Sequence, residues 1–167
     1  MKKMMALFCF FCLFQLNYGQ RIEISNDGFK YNSISFSKRS TMTDVNRIFG
    51  APDKSNALPA GATWTYNKAG IKIGFNPSTN LIYYVEACYK ICEYVQCPTN
   101  VFSGTILLYG KTLTKTTPIN SFKNISEIKF DGTNNEYITV ASIPEAKICW
   151  SKSGKAGEID SFSINFR

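Results

Sequence analysis

The last run of the chain, Ser161–Phe166, alternates Ser161, Ser163 and Asn165 with Phe162, Ile164 and Phe166. A two-residue period cannot be laid along one face of a helix, so this segment is committed to a strand with one buried face and one wet face. Upstream of it, across the turn-rich stretch SKSGKAGE, lies the apolar run Ala146–Trp150. Earlier in the chain, Ile71–Phe75 (IKIGF) and Leu81–Ala87 (LIYYVEA) flank Asn76-Pro77-Ser78-Thr79-Asn80. Two extended runs joined by a short polar turn predict an antiparallel hairpin.

Helix signals are fewer. Ser40 to Asp44 offer N-cap residues with an acidic first turn, Val45, Ile48 and Phe49 form an i, i+3, i+4 stripe, and Gly50 and Pro52 stop it. A weaker counterpart starts at Thr117-Pro118 and carries Phe122 and Ile125. These pieces recur along the chain. A shift of 77 sets Phe36 on Leu113, Thr41 on Pro118, Val45 on Phe122, Ile82 on Ile159 and Val85 on Phe162. A shift of 75 sets Lys72-Ile73 on Lys147-Ile148 and Phe75 on Trp150. The expected fold is therefore α+β, with two tandem strand–helix–antiparallel-strand repeats forming a sheet that carries both helices on one face.

The N-terminus pairs Lys2 and Lys3 with an apolar core from Met4 to Leu16, and small Gly19 precedes Gln20. This is the pattern of a cleaved export signal, and the run is too short to anchor the chain as a membrane-spanning helix. Neither Cys9 nor Cys12 sits in a lipoprotein context. The expected organisation is a signal peptide over 1–19, a first repeat with a cysteine-rich joint over 20–98, and a second repeat over 99–167. Periplasmic or secreted localisation follows.

Four cysteines remain beyond the signal: Cys88, Cys92, Cys97 and Cys149. In an oxidising compartment an even set reads as a disulfide framework, whose connectivity sequence cannot choose. Two bridges are expected, with one bridge plus two thiols as the alternative. A zinc site is disfavoured, because the spacing is not C-x₂-C and the chain has no histidine.

The absence of histidine also removes the commonest general acid/base. Ser35 to Lys38, Ser126 to Lys129 and Lys152 to Gly154 imitate serine acyl-transfer motifs, but a chain of 167 residues has no room for that scaffold. Glu86, Glu93, Glu136, Glu145, Glu158 and Asp160 are too dispersed to suggest a hydrolytic carboxylate pair. No catalytic residue, metal or cofactor is expected. The net charge of +7 falls by two once Lys2 and Lys3 leave, and the remaining basic residues are scattered. That argues against nucleic acid and for, at most, attraction to acidic partners.

The segment from Thr41 to Glu86 resembles the SmpA/OmlA and β-lactamase-inhibitor-protein type of module. Met42-Thr43, Val45 and Gly50-Ala51-Pro52 match its short helix and Gly-x-Pro turn. Trp64 and Tyr66 match its aromatic strand, and Gly70-Ile71, Ile73 and Phe75 the next one. The resemblance implies a helix-plus-sheet module, often in tandem, that binds proteins and catalyses nothing. Tyrosine and tryptophan concentrate energy at such interfaces. A sheet face carrying Tyr84, Lys72 and Glu86, with Trp64 and Tyr66, is the expected partner surface, together with Lys152 and Lys155; the alternative is that Trp64, Tyr66 and Trp150 fill the core under the helices. The expected function is that of an exported immunity protein neutralising a toxin or effector. A cell-envelope accessory that binds assembly factors or peptidoglycan is the alternative.

Overall fold

A computed structural model describes residues 19–58, 61–91, 95–118, 121, 124–131, 137–140, 146–151 and 159–166. Among these residues the strands are β1 (Arg21–Ser25), β2 (Gly28–Tyr31), β3 (Ile34–Phe36), β4 (Lys54–Leu58), β5 (Gly61–Tyr66), β6 (Ile71–Phe75), β7 (Ile82–Cys88), β8 (Thr105–Leu108), β9 (Lys111–Leu113), β10 (Ile128–Asp131), β11 (Tyr137–Val140), β12 (Ala146–Ser151) and β13 (Ser161–Phe166). Among the described residues the one α-helix is α1 (Met42–Phe49). The strands form a five-stranded sheet ordered β3-β2-β1-β8-β9 and an eight-stranded sheet ordered β10-β11-β12-β13-β7-β6-β5-β4.

Both predicted hairpin strands form where the alternation places them. β6 and β7 pair antiparallel, and β13 sits between β12 and β7 with Phe162 and Ile164 buried. The inner faces of both sheets meet in one hydrophobic core that includes Ile22, Ile24, Phe29, Ile71, Ile73, Phe75, Ile106, Leu108, Phe162 and Ile164. Sheet-on-sheet packing of this kind needs no helical layer, because each sheet covers the apolar face of the other.

That packing corrects the expected α+β architecture. The fold is β-rich, with two sheets and a single short helix among the described residues. α1 is specified as the sequence indicates. Thr41 is its N-cap in a capping box with Asp44, and Gly50 closes it at φ 75°. Val45 is buried, and Phe49 stacks 4.4 Å from Tyr31 and 4.9 Å from Tyr66, which closes one end of the core.

The expected second helix, which starts at Thr117-Pro118 and carries Phe122 and Ile125, falls largely outside the described residues; of 119–123 only Ser121 is described, in a 3₁₀ turn where its N–H donates to the Pro118 carbonyl at 2.9 Å. Just ahead of it Thr117 donates its N–H to the Thr114 carbonyl while the Thr114 N–H goes to Thr117 Oγ1. Threonine hydroxyls thus satisfy the backbone in the turn that leads into this segment. Ile125 still packs against the core, but from a non-helical segment. Phe122 lies outside the described residues.

Strands on either side of residue 98 interleave. β8 joins β1 in parallel, with Ile22 opposite Ile106, and β13 joins β7 antiparallel. Both parts of the chain therefore contribute to both sheets and to one core.

Candidate functional site

The outward face of the eight-stranded sheet carries the polar residues of its strands in register. Directly paired residues project to the same side of an antiparallel ladder. One row runs Lys54, Thr65, Lys72, Glu86, Ser163 across β4, β5, β6, β7 and β13, and the next runs Asn56, Thr63, Gly74, Tyr84, Asn165. At the centre of the first row Lys72 Nζ lies 2.7 Å from Glu86 Oε2, with the two side chains only 16% and 20% exposed. Burial by itself would lower the Lys72 pKa, but the charge and hydrogen bond of Glu86 outweigh it and hold the ammonium above the usual lysine value. A lysine so held is neither a nucleophile nor a base at neutral pH.

Beside this pair the ladder slips. Gly74 pairs with Tyr84 while Phe75 pairs with Ile82, so Tyr83 is an extra residue in a β-bulge. The bulge brings two consecutive tyrosines together, their rings edge-to-face with centroids 4.8 Å apart. Tyr84 lies over Gly74 and shares a hydrogen bond with Thr63 Oγ1 at 3.2 Å. Burial raises the pKa of its hydroxyl, opposed by that bond and by Lys72. Tyr83 packs near Gly61 and stays 37% exposed, so its ring is available to a partner. Sequence reading missed Tyr83 because strict alternation would send it inward; only the glycine opposite hints at a break.

A second feature lies along the edge of the same face. The segment after β7 returns over β4 and β5, where Lys54 Nζ donates to the carbonyls of Val95 (3.2 Å) and Cys97 (3.1 Å). Thr65 Oγ1 donates to the Gln96 carbonyl at 2.9 Å, and the Thr99 N–H to Asn67 Oδ1 at 3.0 Å. Cys97 is disulfide-bonded and buried. Three successive carbonyls are thus fixed from below, while the Val95 side chain stands 85% exposed above them.

Several expected site residues sit elsewhere. Trp64 and Tyr66 pair with Ile73 and Ile71 and face the core, not the Lys72 side. Tyr66 is buried against Phe49, and Trp64 meets Phe75 edge-on at 4.8 Å. Lys72, Tyr84 and Glu86 do share one face, as expected. Lys152, Lys155 and Cys92 lie outside the described residues, as do Glu93, Glu136, Glu145 and Glu158. Cys149 is opposite Ser163 in the β12–β13 register.

Cys88 corrects the framework of two bridges. It is a free, buried thiol, so the four cysteines are not all paired. Burial, reinforced by Glu86 and opposed by Lys72, pushes its pKa up to about 12, which keeps it protonated and unreactive.

Among the described residues no group of three or more Cys, Asp or Glu converges to hold a metal ion. Ser126 Oγ donates to Glu127 at 2.8 Å, an exposed local contact with no catalytic geometry. Among the described residues no helix is long and apolar enough to cross a membrane.

The profile of a family described as a domain of unknown function, DUF7738, matches residues 21–123. The chain belongs to that family. The matched DUF7738 segment runs from β1 through β9 and so includes α1, the bulged hairpin, the pinned loop and the parallel β1–β8 pair. No curated protein and no solved structure matches the chain.

Proposed function

We propose that this DUF7738 protein is an exported, non-catalytic binding protein that neutralises a protein partner, in the manner of an immunity protein acting on a toxin or effector in the periplasm. The observation that carries this reading is the pairing of Tyr83 and Tyr84, floored by Gly74, beside the Lys72–Glu86 ion pair on one sheet face. Rigid aromatics that bury large area with few torsions, next to a fixed charge pair, suit recognition of a folded surface. The pinned Val95 segment extends that face with a pre-organised apolar contact, which lowers the ordering cost of binding. The resemblance of Thr41 to Glu86 to inhibitor-type modules and the candidate export signal support the same reading.

The test is protection. Cells exporting each effector encoded beside this gene would be grown with and without the exported chain. Rescue from one effector, lost with Tyr83→Ala or Val95→Asp while the protein stays folded, supports the reading. Failure to rescue or to bind any of them removes it.

A further inference from the structure

We propose that Gln20 is a modification site: once the export signal is removed, the new N-terminal glutamine closes on itself to give pyroglutamate. The proposal rests on the export reading, which places cleavage between Gly19 and Gln20.

Gln20 does not belong to a loose tail. Its carbonyl accepts the Thr105 N–H at 2.7 Å, and the next residue is locked to the β2–β3 turn. There the Arg21 N–H donates to Asn32 Oδ1 at 2.8 Å, and the Asn32 N–H returns to the Arg21 carbonyl at 2.8 Å. Gly104 leaves the room that Gln20 occupies, since a Cβ there would come within 2.7 Å of the Gln20 Cβ and collide with its carbonyl oxygen. Gly19, by contrast, is exposed and lines an open cleft with Arg21, Asn32 and Ser33, so the peptide bond ahead of Gln20 is reachable.

The side-chain oxygen of Gln20 is buried and has no hydrogen-bond partner. Ring closure therefore breaks no bond that this oxygen makes to the fold. Closure replaces the α-ammonium of a free N-terminus with a neutral amide. The neutral α-amine attacks Cδ, an N–Cδ bond forms, and the Cδ–Nε2 bond breaks. One amine proton passes to the departing nitrogen, which leaves as ammonia. No oxidant or co-reactant is consumed. The lactam retains one N–H donor and the former Oε1, now a ring carbonyl, and it denies aminopeptidases the free amine they require.

The test uses the full chain exported through its own leader and purified from the exported fraction. Intact mass is read without digestion and is paired with stepwise N-terminal degradation. The expected product begins at Gln20, is lighter than the Gln20–Arg167 chain by one ammonia, and is blocked to degradation until a pyroglutamyl peptidase acts on the unfolded protein. Gln20→Ala should be cut at the same place and remain unblocked. A free amine on Gln20 overturns the modification and leaves export standing. An exported chain that starts at another residue also overturns the modification and leaves export standing. Absence of the chain from the exported fraction, with residues 1–19 retained in the cell, overturns both.

Discussion

The ring of Tyr84 on β7 lies over Gly74, its register partner on β6, and occupies the space that a side chain at that position would fill. A Cβ at Gly74 would collide with Tyr84 and come within 2.9 Å of the Tyr83 ring. Gly74→Ala should therefore lift both tyrosines off the sheet. The expected cost is about 1–3 kcal/mol, typical of overpacking a filled site, read as a lower urea midpoint with unchanged slope. Near-UV dichroism from the tyrosine pair should fall as well. An alanine variant as stable as the wild type would show that the ring is not held there.

How much of this could be read from the residues divides along sequence distance. The IKIGF and LIYYVEA runs forecast β6 and β7, the Ser161–Phe166 alternation forecasts β13, and Thr41, Asp44 and Gly50 forecast the limits of α1. Each is a local pattern. The five-stranded sheet is not local: β1 and β8 meet in parallel across roughly half of the chain, and a short strand bears no mark of such a partner. Local pattern alone shows one amphipathic sheet whose apolar face needs a cover, and a helical layer is the usual one. The bulge at Tyr83 is a one-residue slip, and a slip reverses the face of every later residue in the strand, so alternation alone misplaces it. Trp64 and Tyr66 carry no such mark either, since aromatic content does not say which face is inward.

Lys72 and Glu86 supply a second test. Lys72→Met leaves Glu86 half-buried without its partner and should cost about 1–2 kcal/mol, between the values for exposed and buried pairs. Lys72→Met combined with Glu86→Leu should recover most of that loss. Chemical denaturation of the four members of the cycle gives the coupling directly. Additive losses would mean that the pair contributes nothing as a pair.

Alkaline pH should unfold the protein through its buried phenols. Burial pushes the Tyr31 pKa up to about 12 and raises those of Tyr66, Tyr84 and Tyr89 above the ordinary value. An unfolded phenol ionises near 10, so the stabilisation is present in full below about pH 10 and is lost as pH climbs towards the folded-state value. Each such group steepens the fall by up to about 1.4 kcal/mol per pH unit. Tyr31→Phe should flatten the profile above about pH 10 and leave it unchanged at neutrality. An identical slope in the variant would rule out Tyr31 as a contributor.

Cys88 should be silent to alkylation in the folded protein. Its thiol is buried and its pKa is pushed up to about 12, whereas reactive cysteines are exposed and hold theirs low. Peptide mapping after iodoacetamide at neutral pH should find Cys88 unmodified in the native state and modified after unfolding in guanidinium without reductant. Finding it in a disulfide instead would restore a fully paired framework.

Lys54 is the test of the pinned loop. Its ammonium holds the carbonyls of Val95 and Cys97, and Thr65 holds the one between them. Lys54→Met keeps most of the aliphatic stem and removes the donors, so β4 should remain paired with β5 while the loop loses two of its ties. Hydrogen exchange should then rise in the loop from Val95 to Thr99 and stay unchanged in β5 and β6. Global stability should fall by about 1–2 kcal/mol, since each lost bond to a charged donor contributes modestly on balance. If the loop contacts the partner as a pre-organised element, the same variant should weaken binding mainly through faster dissociation. Thr65→Val, which removes the donor beneath Gln96 and keeps the β-branched shape, should act in the same direction. Faster exchange with unaltered affinity would place the loop outside the binding surface and leave Tyr83 and Tyr84 as its core.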